Sequence, residues 1–279
     1  MNYTGAIFYG VIQGIAEFLP VSSSGHLALA QNFHLLSGAE AKNDMAFNVL
    51  LHLGTLLSVV IVLRRDVFAM INGAISLIFR PFRAVKTRLS DDERLFLSVF
   101  AASLMLLPAA FLEGTVANVS KSSAAIGVLL ILNGVMLMIS GRLSGGKTML
   151  ENVGTGKAML VGAFQAFGVL PGISRSGATV TGGLLCGMSG KDAVRFSFLL
   201  SVPAITGACV MELGELGAGI SEGMTGVYAA GALTSFAVGV SAIKLLEYLA
   251  RKKNFLPFAL YCVIAGSAAM IFSAVFDIT

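Results

Sequence analysis

A polar loop that occurs twice, each time inside apolar helix-forming sequence, limits what this chain can fold into more than any other feature. The first copy runs from Gln13 to Gly25, contains Leu19-Pro20-Val21-Ser22-Ser23-Ser24-Gly25, and is followed at once by His26. The second runs from Gln165 to Gly177 and contains Leu170-Pro171-Gly172-Ile173-Ser174-Arg175-Ser176-Gly177, with the same Gln-to-Gly separation. Proline, glycine and clustered serines cannot continue a helix. The chain is 56% hydrophobic and only 12% charged, with a mean hydropathy of +0.85. Soluble domains carry about 25% charged residues, so the flanks of both loops read as membrane. Irregular backbone at membrane depth is tolerated only where it is buried in protein or lines a wet cavity. One break in each half of the chain points to a site formed where the halves meet.

A membrane helix needs roughly 20 apolar residues. Full spans are expected near Met45–Leu63, Leu95–Leu112, Ala124–Ser140, Phe196–Met211, Val227–Leu249 and Phe255–Phe276. Residues 4–36 and 157–188 each hold two shorter apolar segments around a polar loop, and are expected as re-entrant hairpins that return to the side they entered from. The predicted fold is an all-α polytopic membrane protein with an inverted-topology repeat, each half a re-entrant helical hairpin plus three transmembrane helices. The whole of 1–279 is one membrane domain, with halves of about 1–142 and 157–279 joined by a basic linker. Phe47-Asn48-Val49-Leu50-Leu51 after the first hairpin is echoed by Phe196-Ser197-Phe198-Leu199-Leu200 after the second. An odd number of spans per half inverts the second half relative to the first.

Loop charges agree with that count. Arg64, Arg65, Arg80, Arg83, Lys86, Arg88 and Arg94 fall between the first two spans; Arg142, Lys147 and Lys157 follow the third; Lys191 and Arg195 follow the second hairpin; Arg251, Lys252 and Lys253 lie between the last two. Glu212, Glu215 and Glu222 lie between the fourth and fifth spans, with no Lys or Arg. The positive-inside rule puts the basic loops in the cytoplasm and both termini outside. The net charge of +4 is therefore loop asymmetry, and no basic, aromatic-interleaved patch suggests a nucleic-acid partner. Val67–Phe79 is expected as an interfacial helix, and Ser90-Asp91-Asp92-Glu93 as a capped helix start. Cys186, Cys209 and Cys262 lack metal-ligand spacing and are expected as core filler. Met1 to Gly10 has no basic n-region, so no cleavable signal peptide is expected.

The chemistry lies in the loops. Gln13 and Glu17, four apart, share one helix face. A carboxylate within the membrane is costly and marks function by default, though pairing with an arginine would also account for it. His26 could be a packed histidine bonded to backbone, and at least one of Ser22, Ser23 and Ser24 is expected to cap the helix that follows. In the second loop Gly172 and Gly177 let backbone N–H groups approach an anion, with Ser174, Arg175 and Ser176 between them. Arg175 adds a bidentate fork suited to phosphate. Together these groups suit phosphoryl transfer, with Ser or His attacking phosphorus and Glu17 acting as base or holding a hard divalent cation such as Mg²⁺ or Ca²⁺. One carboxylate is few for such an ion, so a substrate diphosphate would have to complete its shell. A lipid transporter or flippase shares the inverted repeat and broken helices, but has less use for Glu17 beside Ser23 and His26.

The strings from Gln13 to His26, Pro171 to Thr179, His52-Leu53-Gly54-Thr55 and Phe196 to Ala204 together resemble the bacterial undecaprenyl pyrophosphate phosphatases linked to bacitracin resistance, over essentially the whole chain. The resemblance implies an inner-membrane enzyme with an outward-facing active site. Its expected reaction hydrolyses a polyprenyl diphosphate lipid to the monophosphate, recycling the carrier of peptidoglycan synthesis. It implies divalent-cation dependence, with Glu17, Ser23, His26 and Arg175 catalytic and either Ser23 or His26 the nucleophile. Gln13, Ser22, Ser24, Gly172, Ser174, Ser176 and Gly177 would bind the diphosphate, and Glu17 the metal. A homodimer is compatible with all of this. Family members carry Glu or Gln at the position of Gln13 and often an acid at that of Asn48, so this chain is lean in carboxylates.

Overall fold

A computed structural model describes residues 1–33, 45–80, 88–143, 146–216, 224–252 and 254–276. Residues 34–36 of the first hairpin, and Arg83, Lys86, Glu222 and Lys253, lie outside them, as do the side chains of Glu212 and Glu215. The first hairpin is α1 (Tyr3–Phe18) and α2 (Ser23–Asn32), followed by α3 (Met45–Val62), α4 (Arg64–Phe79), α5 (Asp91–Leu104), α6 (Glu113–Ser120) and α7 (Ser123–Leu143). The second is α8 (Thr155–Phe167) and α9 (Arg175–Leu185), followed by α10 (Gly190–Leu216), α11 (Thr225–Arg251) and α12 (Leu256–Phe276). The protein is all-α apart from one isolated bridge between Thr148 and Met188 among the described residues.

Helix length separates the spans from the hairpins. Among the described residues α7, α10, α11 and α12 are long and apolar enough to cross a membrane; α3 with α4, and α5 with α6, add two more as pairs bent by 91° and 71°. The hairpin arms have 16, 10, 13 and 11 residues, short of the roughly 20 a crossing takes. The second span departs from the expected Leu95–Leu112. Its α-helix ends at Leu104, a 3-10 turn covers Leu107–Leu112, and α6 leaves at an angle. Pro108 accounts for the break, because it has no N–H to give the carbonyl of Leu104, four residues back, and its ring clashes with that carbonyl.

Packing repeats between the halves. α1 lies along α11 as α8 lies along α5; α3 meets α11 as α10 meets α5; α7 pairs with α12, and α3 with α10. Small residues bring these backbones together: a Cβ on Gly14 would sit 2.7 Å from the Ser235 carbonyl oxygen. The hairpins open at opposite ends of α7. Asn32, at the end of α2, donates to Ser120 O (3.0 Å) and Ser123 Oγ (3.2 Å), where α7 begins. Gly187, just after α9, accepts from Thr148 N (2.9 Å), just beyond the end of α7. The 21 residues of α7 separate those ends by about 31 Å, so the two loops enter from opposite directions and meet in the interior.

The segment expected as an interfacial helix forms α4, at right angles to α3, with Phe68, Ile71, Ile75 and Ile78 exposed along it. It is tied down at both ends. Asp66 pairs with Arg195 of α10, while Ser76 (2.7 Å) and Arg80 (2.6 Å) donate to Glu93. Glu93 also closes a capping box with Ser90 at the start of α5. All three cysteines are buried.

Candidate active site

Each loop is closed by its own serine. Ser22 Oγ accepts from Gly25 N (3.3 Å) and Ser174 Oγ from Gly177 N (3.2 Å), capping α2 and α9 alike. The two caps then meet. Ser22 Oγ also accepts from Gly172 N of the opposite loop (3.0 Å), and Ser176 Oγ donates to Leu19 O (3.3 Å) and contacts Ser174 Oγ (3.0 Å). Glycine is required at this seam: a Cβ on Gly25 would sit 2.8 Å from Gly172 N, and Gly172 has φ +106°. Ser22 is held at φ +69°, an uncommon conformation for serine, and is the only such non-glycine residue described. Asn133, fully buried at mid-α7, staples both loops by donating to Pro20 O (2.9 Å) and accepting from Ser174 N (3.1 Å).

A polar chain runs away from the seam. Arg175, the first residue of α9, forms an ion pair with Glu17 Oε1. Glu17 Oε2 accepts from Gln13 Nε2 (3.1 Å), which also lies 3.1 Å from His52 Nδ1. An amide nitrogen can only donate, so His52 Nδ1 accepts and its proton sits on Nε2. Glu17 thus has the arginine partner that the sequence allowed, supplied by the other loop. Gln13 and Glu17 are buried, while Arg175 keeps part of its side chain open.

His26 stands at the other side of the first loop. Its Nδ1 lies 2.8 Å from Ser22 O, its Nε2 lies 2.8 Å from Tyr261 OH, and its ring stacks on that of Tyr261. The pair closes the polar end of an apolar groove of ≈ 480 Å³ between α1, α2 and α12, lined by Val11, Ile15, Leu29, Phe33, Ala265 and Phe272 among others. Ser23 is half-buried and Ser24 exposed, and neither hydroxyl has a partner among the described residues.

The predicted residues therefore divide by geometry. Ser22, Ser174, Ser176, Gly172 and Gly177 build the seam, and the N–H groups of Gly172 and Gly177 are already engaged by serine hydroxyls. Glu17, Arg175 and Gln13 form a linked set, while Ser23, Ser24 and His26 present groups around the first turn of α2. The N-termini of α2 and α9 face the same seam, and each favours negative charge. Asn133, His52 and Tyr261 were not identified by the loop pattern. Asn133 had a signal, a lone amide inside an apolar span; Tyr261 had none. For a divalent cation the protein groups do not suffice. Both Glu17 oxygens are engaged, and no cluster of three or more His, Cys, Asp or Glu side chains suited to an ion occurs among the described residues.

The family model described as "Bacitracin resistance protein BacA" matches residues 6–268. Proteins named undecaprenyl-diphosphatase are similar along nearly their full length. That of Rhodopirellula baltica is 36% identical over 93% of this chain and 94% of its own. That of Korarchaeum cryptofilum is 37% identical over 97% and 99%. That of Methanococcus vannielii is 33% identical over 93% and 96%.

Proposed function

Because the chain belongs to the bacitracin resistance protein family, we propose that it is a membrane undecaprenyl-diphosphatase, hydrolysing undecaprenyl diphosphate to undecaprenyl phosphate and so recycling a lipid carrier for peptidoglycan synthesis. The observation that carries this reading is the convergence of two helix N-termini, with Arg175 and Glu17 paired across them, beside a groove headed by His26. An isoprenoid tail matches the apolar groove, whose polar end is His26 with Tyr261, and the diphosphate is proposed to lie between that end and the helix N-termini.

Arg175 has donors beyond the one it gives Glu17 and can turn them to a phosphate oxygen. The first-turn N–H groups of α2 and α9 add fixed positive ends where charge develops. The nucleophile is Ser23, whose hydroxyl is unengaged, or His26 through Nε2. In the serine route His26 takes the hydroxyl proton, a phosphoserine forms as undecaprenyl phosphate leaves, and water then releases inorganic phosphate. In the histidine route Nε2 attacks directly and water cleaves the phosphohistidine. Gln13 and Ser24 are proposed to orient substrate oxygens around these groups. We also propose a divalent-cation requirement, Mg²⁺ or Ca²⁺, met by an ion carried on the diphosphate, with Glu17 the protein carboxylate beside it. The active site is proposed to face the outside of a bacterial inner membrane, with both termini outside.

The test is phosphate release from a C55 isoprenyl diphosphate in detergent by wild type and Glu17→Gln, with and without EDTA. Release that EDTA stops and Glu17→Gln loses upholds the reading. No release by folded wild type across several cations sinks it and favours a transporter of polyprenyl phosphate lipids, which the inverted repeat alone would also serve.

A further inference from the structure

We propose that Tyr261 is a positioning residue for His26, holding the imidazole in the one tautomer and orientation that put a bare Nε2 at the head of the groove; its role in turnover rests on the phosphatase reading above. The argument begins at Ser22, whose φ of +69° accompanies a carbonyl that meets both His26 N (3.3 Å) and His26 Nδ1 (2.8 Å). A carbonyl only accepts, so the imidazole proton sits on Nδ1 and Nε2 keeps its lone pair. The sole partner of Nε2 among the described residues is Tyr261 OH at 2.8 Å, which must then be the donor. The two rings lie 14° from parallel with centroids 5.5 Å apart, so the phenol limits rotation of the imidazole while its hydroxyl fixes the free nitrogen.

Tyr261 is itself placed by the loop it serves. The next residue, Cys262, is fully buried, and its Sγ lies 3.3 Å from Asn133 Nδ2 and 3.7 Å from Pro20 O. The register of α12 is thereby tied to the first loop, and Tyr261 cannot slide along the groove independently of His26. On its other side Tyr261 is 46% exposed and lines the groove, so its hydroxyl can leave Nε2 for a phosphate oxygen when a lipid head arrives.

Tyr261→Phe separates this role from packing, because it keeps the stacking ring and removes only the donor. Full-length wild type and variant, labelled with ¹⁵N-histidine in detergent, report the state of Nε2 directly; His26→Gln identifies the His26 signals among the three histidines. The expected result is an Nε2 resonance moved towards that of an unbonded acceptor in Tyr261→Phe. With it, kcat on C55 diphosphate falls about tenfold, the size of one net hydrogen bond, while KM stays within about twofold as the ring still fills the groove. An unmoved resonance, or turnover close to wild type, overturns the proposal. A wild type that releases no phosphate overturns the phosphatase reading instead. The nitrogen signal then decides alone, a shift upholding the Tyr261–His26 bond and no shift refuting it.

Discussion

Glu17, His26 and Arg175 were legible in the sequence because each is a polar group where the membrane tolerates few. What they touch was not legible. Arg175 reaches Glu17 across 158 positions, through the meeting of the two loops, and Tyr261 reaches His26 across 235, through the packing of α12 beside the first loop. The local chemistry of serine was legible in kind but not in position. A cap was expected among Ser22, Ser23 and Ser24, and the structure selects Ser22. That choice leaves Ser23 unengaged at the first position of α2, which sharpens the test of the nucleophile. His26→Ala and Arg175→Ala are each expected to abolish phosphate release while elution in detergent stays that of folded protein; near-normal turnover in either removes that residue from the chemistry. Ser23→Ala should cost orders of magnitude in kcat if serine attacks phosphorus. A loss of only a few-fold assigns the attack to His26.

The broken helices were recognisable at the level of elements because Leu-Pro followed by a capping serine stops one helix and starts the next, although Ser23-Ser24-Gly25 and Ser176-Gly177 themselves fall in the first turns of α2 and α9. The Ser90–Glu93 capping box was plain in four residues. The end of α5 was missed for a physical reason. Hydropathy continues unbroken through Leu104 to Leu112, whereas the backbone is interrupted by Pro108, and an apolar composition does not reveal a bend. A meeting of the two breaks was expected from the sequence, but Gly172 and Gly177 were read as anion-binding glycines, whereas their N–H groups go to Ser22 and Ser174 in a seam between the loops. Across that seam Gly25 and Gly172 touch. Gly25→Ala places a methyl 2.8 Å from Gly172 N, so the loops must separate by a fraction of an ångström without loss of any catalytic group. Misplacement by about 1 Å can cost a hundredfold in rate. Turnover of Gly25→Ala is accordingly expected to fall by about two orders of magnitude with α-helical content unchanged in circular dichroism. Wild-type turnover would show that the seam does not position the chemistry.

Orientation belongs to the whole molecule, because no single element carries it. The sequence implied inversion by arithmetic, three spans and one hairpin per half, and by the sign of the loops. The structure reaches the same relation independently, through hairpins that open at opposite ends of α7. The side that holds α4, the start of α5 and the start of α8 is the basic one; the side that holds α6 and the end of α2 is the other. On the proposed orientation, with the basic side inward as the positive-inside rule has it, the first hairpin with Ser23 and His26 opens to the outer side. Two glycines test this without disturbing packing, since a Cβ at Gly114 of α6 or Gly156 of α8 would meet nothing within 4 Å. The native cysteines are buried and should give little background. In intact cells a membrane-impermeant maleimide is expected to label Gly114→Cys, and to label Gly156→Cys only after permeabilisation. The reverse pattern would turn the molecule over, leaving the fold intact while moving the opening of the groove-bearing hairpin to the cytoplasmic side. A diphosphate generated outside the cell would then have to cross the bilayer before it could be cleaved.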